Sequence, residues 1–132
     1  RFSSRGRLMD TFDAIIQPLD FDISQGSIDI HGITKDRAMR EGRPFTEVFI
    51  DFMKFVGPRS RNIIAHNAQF DTSVLKSEMI RNNIDLNLIE DFNFRCTLKM
   101  YKERFLKPIK LGVLYKELFG VDFENAHNSL AD

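Results

Sequence analysis

The order of patterns along this 132-residue chain predicts an α/β fold. Two observations carry that prediction. Phe45, Val48, Phe49, Phe52, Phe55 and Val56 recur at spacings of three and four, which puts them on one helical face that ends at Gly57-Pro58. Asn62-Ile63-Ile64-Ala65 reads as a short buried strand, and Asn67 directly after it can cap a helix.

Taken in order, residues 8–18 mix alternation with a short apolar run that Pro18 closes, so a strand is expected there. Residues 20–27 read as loop. His31-Gly32-Ile33-Thr34 forms a turn whose threonine can cap a short helix over residues 35–39. Gly42 and Pro44 punctuate the chain before the helix over residues 45–56. The helix starting at Asn67 runs to about Arg81 and delivers Asp71 in its first turn or just beyond. Residues 92–96 suit a second short strand, and residues 97–105 are helical up to the Lys107-Pro108 break. Leu111, Leu114, Tyr115, Leu118 and Phe119 predict another amphipathic helix, stopped by Gly120. A loop over residues 121–125 then leads to a terminal helix. No internal repeat or low-complexity stretch is visible.

Composition narrows the function classes. A chain of 132 residues suits one domain with a single core, and 42% apolar with 29% charged residues is ordinary for a globular protein. The 13 phenylalanines, with no tryptophan, are expected to fill that core. Zero formal net charge announces no global positive field, although a basic groove beside an acidic metal site also sums to nothing. The lone Cys96 excludes an intramolecular disulfide and fits a reducing compartment. No apolar run approaches the ~20 residues of a membrane span, and no signal-peptide pattern opens the chain. A cytoplasmic, soluble protein with no membrane partner is the expectation. Both ends read as cut: the chain opens on a polar, loop-like stretch and stops at Asp132 inside an expected helix, so a fragment of something longer is expected.

The residues able to carry chemistry are Asp71, His127 and Asp132. Two carboxylates from distant parts of a chain can hold divalent cations on one phosphate, while a histidine titrating near neutral pH can deprotonate an attacking water. Five residues of ideal helix turn through about 500°, which would point His127 and Asp132 some ~140° apart. They converge if His127 sits on the entering loop or an irregular first turn, with Asn125 or Asn128 as the cap. A structural zinc site is excluded by one cysteine and widely separated histidines, and no Gly-rich phosphate loop or Gly-x-Ser-x-Gly elbow is present.

These segments resemble a family. His66-Asn67-Ala68-Gln69-Phe70-Asp71 is similar to the second motif of the DEDDh 3′-to-5′ exonucleases, and Ala126-His127-Asn128-Ser129-Leu130-Ala131-Asp132 to their third. Ile30-His31-Gly32-Ile33-Thr34 resembles the turn those enzymes carry upstream, and Cys96-Thr97-Leu98 and the helix from Lys110-Leu111 to Phe119 fall in family-like order.

The resemblance implies a ribonuclease H-like mixed sheet flanked by helices. It implies two Mg²⁺ or Mn²⁺ ions held by Asp71 and Asp132, His127 as general base, and His31 lining the pocket for the 3′-terminal nucleotide; Asn67 and Phe70, after the Ile63-Ile64-Ala65 strand whose end would open into the site, are expected to form the site's wall. The implied substrate is a single-stranded or frayed 3′ end of DNA, or RNA, with a polymerase as a further partner. The family's first motif, an Asp-x-Glu in an opening strand, is missing. Asp10 and Asp13 stand too close to the His31 turn to replace it, and read as strand or surface carboxylates. Either an N-terminal segment with the first strand lies outside this sequence, or the domain does without it. The alternative to an enzyme is a binding or scaffold domain that grips single-stranded ends with Phe70 and with Arg59, Arg61 and Lys107.

Overall fold

The computed structural model describes residues 1–19, 21–58 and 61–123. The fold is α/β, with six α-helices and a two-stranded parallel sheet among the described residues. The chain divides into two compact units, Arg1–Pro58 and Arg59–Asp132.

The first unit is helical. Ser24 caps α1 (Gln25–His31) by accepting from the Ser27 N–H, and Gly32 ends it in the left-handed conformation at φ 69°. This turn of helix replaces the end of the loop expected over residues 20–27, because Ser24 supplies a cap that outweighs the helix-weakening Gly26. Thr34 caps α2 (Lys35–Glu41) as its sequence predicts, accepting from the Arg37 N–H. The next helix, α3 (Phe45–Val56), has the predicted bounds and buries Phe45, Val48 and Phe49. Phe12 packs on this helix with ring centroids 6.1 Å from Phe52 and 5.5 Å from Phe55.

Residues 8–18 do not form the expected strand. Their ladder is limited to isolated bridges, Phe2 with Leu8 and Ile16 with Arg43, among the described residues. The alternating pattern favours extended backbone, but a strand also needs a neighbour along its length, and among the described residues Phe2 and Arg43 each offer a single bridge. Asp10 is an exposed carboxylate near Arg1, and Asp13 is exposed as well, in keeping with surface roles.

The second unit holds the sheet. Strand β1 (Asn62–Ala65) pairs in parallel with β2 (Asn93–Cys96), in a register that sets Asn62 beside Asn93 and Ala65 beside Cys96. Between them run α4 (Ala68–Arg81) and a 3₁₀ turn, Leu86–Ile89, which Asp85 caps and which the sequence patterns do not reveal. Parallel strands require such a crossover. Met79 is fully buried, and Ala68, Ile89 and Phe92 are buried as well. Two helices follow, α5 (Thr97–Phe105) and α6 (Leu111–Phe119), and the Tyr101 hydroxyl of α5 donates to Glu117 of α6 at 3.1 Å.

Candidate functional site

Ligands of parallel α/β sheets gather beyond the carboxyl ends of the strands, where helix starts and turns supply directed polar groups. In the second unit that edge is defined by Ala65 and Cys96, register partners at the ends of β1 and β2. His66 and Asn67 follow the first strand, and Thr97 follows the second.

Asn67 occupies the N-cap position of α4, but its side chain makes no capping hydrogen bond. Its backbone is left-handed, at φ 70° and ψ 44°, which an asparagine tolerates better than other non-glycine residues. Cys96, at the end of β2, is the N-cap of α5, and its sulfur accepts from the Lys99 N–H at 3.4 Å. Burial pushes the Cys96 thiol up, yet the N–H groups of Lys99, Ala68, Asn67 and Leu98 together bring it below its ordinary value.

Asp71 stands in the first turn of α4. It is exposed, and among the described residues its carboxylate makes no hydrogen bond or ion pair. Phe70 is 66% exposed next to it, an aromatic face open to stacking. The structure thus brings Asn67, Phe70 and Asp71 together at one helix start. An exposed oxygen donor is what hard Mg²⁺ or Mn²⁺ takes, so Asp71 fits as one ligand. Among the described residues, no group of three His, Cys, Asp or Glu side chains gathers to complete a shell.

His31 belongs to the other unit, where it is the last residue of α1 and exposed; its Nδ1 accepts from the Ile33 N–H at 3.0 Å. His127 and Asp132 lie outside the described residues, as does Arg59. Arg61 is a poor candidate for phosphate contact. Its guanidinium donates to Asp91 at 2.6 Å and lies over the Phe92 ring at 5.5 Å, so it is committed within its own unit. Lys107 is exposed.

One residue of the site goes unnoticed in a reading for catalytic groups. His66 is half-buried, with Nδ1 3.0 Å from the Thr97 hydroxyl and Nε2 2.9 Å from the Ile109 carbonyl oxygen. Its position between an apolar strand and a helix start was the available signal.

Comparison with known proteins places this architecture. The family model described as Exonuclease (RNase_T) matches residues 3–132. The chain belongs to that exonuclease family, of DEDDh type. It is 31% identical over 128 residues to the DNA polymerase III subunit epsilon of Buchnera aphidicola subsp. Baizongia pistaciae (strain Bp), covering 93% of this chain and 50% of that protein. It is 28% identical over 109 residues to the DNA polymerase III PolC-type of Streptococcus agalactiae serotype III (strain NEM316), covering 80% of this chain and 7% of that protein. The chain therefore spans half or less of the length of these curated relatives. Among the described residues, no helix is long and apolar enough to cross a membrane.

Proposed function

We propose that this chain is the exonuclease domain of a metal-dependent 3′-to-5′ exonuclease, which hydrolyses phosphodiester bonds of DNA, or of RNA, and releases nucleoside monophosphates. The observation that carries the reading is the Asp71 carboxylate, exposed and unpaired among the described residues, beside an exposed Phe70 at the carboxyl edge of a parallel strand pair. Family membership supplies its chemical context.

Asp71 and Asp132 would hold Mg²⁺ or Mn²⁺. A divalent ion bound there would supply a Lewis acid for the charge that develops on the scissile phosphate. His127 takes the proton of the attacking water, a role suited to a side chain that titrates near neutral pH. Phe70 stacks on the terminal base, with Asn67 beside it, and His31 lines the nucleotide pocket. Stacking is sequence-tolerant, as a nuclease that works along a strand requires. The names of the relatives, both DNA polymerase III proteins, extend the proposal to a polymerase partner. Activity further requires an Asp-x-Glu pair, which these residues do not carry in an opening strand.

The test is release of mononucleotides from 3′-labelled single-stranded DNA by the full-length protein, with Mg²⁺, with Mn²⁺ and with chelator. His127→Ala is expected to lower the rate by about 10²- to 10⁴-fold while substrate affinity holds. The second reading, a nucleic-acid-binding or scaffold domain without catalysis, draws on the failure of residues 8–18, with Asp10 and Asp13, to form a strand. Salt-dependent binding with no release under any metal condition would establish it instead.

A further inference from the structure

We propose that His66 is a positioning residue whose ring ties the β1–α4 corner to the first residue of α5 and to the entry of α6, and thereby sets where Asp71 stands. The proposal rests on the reading of Asp71 as a metal ligand.

The hydrogen-bonding roles follow from the partners. The Ile109 carbonyl 2.9 Å from Nε2 can only accept, so Nε2 carries the hydrogen. A neutral ring then has only a lone pair at Nδ1, and the Thr97 hydroxyl at 3.0 Å must donate to it. The Thr97 oxygen also lies 3.5 Å from the Ala65 carbonyl, at the limit of a useful bond, so the shorter contact takes the proton. One ring thus spans three chain segments. His66 follows Ala65 at the end of β1, Thr97 follows that residue's register partner Cys96, and Ile109 precedes Lys110, the N-cap of α6.

What the tether holds is an unusual corner. Asn67, directly after His66, is left-handed, a conformation that asparagine tolerates best among non-glycine residues but that still costs energy relative to the right-handed one. Its side chain contributes no cap to α4. A rotation at this corner swings the whole first turn, and Asp71 with it. Anchoring the preceding ring on both nitrogens removes that freedom. Residues that orient a metal ligand without touching the metal commonly change metal affinity by about 10- to 100-fold when removed.

Because His66→Ala empties a half-buried site, the deciding pair in the full-length protein is Thr97→Val against Thr97→Ser, the serine keeping the hydroxyl. Nitrogen-15 NMR of the neutral imidazole is expected to show the Nε2–H tautomer. Amide exchange of Phe70, whose N–H donates to the Asn67 carbonyl at 2.8 Å, is expected to be about fivefold faster in Thr97→Val than in Thr97→Ser, the effect of one hydrogen bond on a local opening. The Asn82 amide at the far end of α4 is expected to exchange equally in both. Mn²⁺ affinity, read by electron paramagnetic resonance, should fall in Thr97→Val and hold in Thr97→Ser. An Nδ1–H tautomer, equal exchange at Phe70 in the two variants, or equal Mn²⁺ affinity in the two would overturn the proposal. If wild type binds Mn²⁺ and shows the tautomer and the Thr97 differences but releases no mononucleotide, the exonuclease reading is lost and the tether stands. Release of mononucleotides with the Nδ1–H tautomer loses the tether alone.

Discussion

Cys96 caps α5 through its sulfur, which accepts from the Lys99 N–H, and the consequence is chemical. Burial alone would raise its thiol, but four backbone N–H groups favour the thiolate more, so the native value lies below the ordinary one. The thiolate is the form that alkylates. The pH midpoint of Cys96 alkylation is therefore expected to be lower in the native protein than in urea. A native midpoint at or above the unfolded one would contradict this. Asp71, one turn into α4, is the opposite case: exposed and unpaired among the described residues, it has little structural work to lose. Asp71→Asn is expected to change unfolding free energy by no more than about 0.5 kcal/mol, as exposed positions do, while weakening Mn²⁺ binding in a titration. Loss of both together would mark Asp71 as a structural residue.

At the scale of elements, the ends of helices decide how the segments meet. Gly42 ends α2 at φ −81°, which any residue adopts, so its need for glycine is one of space. A Cβ there would lie 2.3 Å from the Ala38 carbonyl oxygen and 3.0 Å from the Gln17 nitrogen, both backbone atoms that cannot step aside. The same spot carries the Ile16–Arg43 bridge. Gly42→Ala is expected to destabilise the protein by about 2–3 kcal/mol in urea unfolding. Leu106 presents the reverse situation. It ends α5 in the left-handed region at φ 58° and is 88% exposed, so its side chain packs little while its backbone is strained. Leu106→Gly is expected to raise stability by about 0.5–1 kcal/mol, with the relief of strain exceeding the entropy that glycine adds to the unfolded chain. An unchanged or lower melting temperature would count against that balance.

At the scale of the whole molecule, each of the two units has its own buried apolar group. Phe45, Val48 and Phe49 serve the first, and Met79 with Ile89 and Phe92 the second. Met79 has no exposed surface, and Met79→Ala is expected to cost about 2–5 kcal/mol, measured by denaturant unfolding. The helix face with Phe45, Val48 and Phe49 was legible because periodicity is a local property: a side chain every three or four residues is buried wherever the partner is. The same holds for β1, for the Thr34 cap and for the stop at Gly120, each set by a few neighbouring residues. Half of the candidate site was readable for that reason too, since Asn67, Phe70 and Asp71 share one helix start.

What the sequence determined by itself, then, is the α/β order of elements, the faces the helices bury and the placement of Asp71 on a first turn. Tertiary structure decided the rest. It left residues 8–18 without a strand, committed Arg61 to Asp91, and joined His66 to Thr97 and Ile109. The physical reason is common to all three. Backbone preference and periodicity act within a few residues, whereas a sheet ladder, an ion pair between distant segments or a ring held on both nitrogens exists only once distant parts of the chain have met.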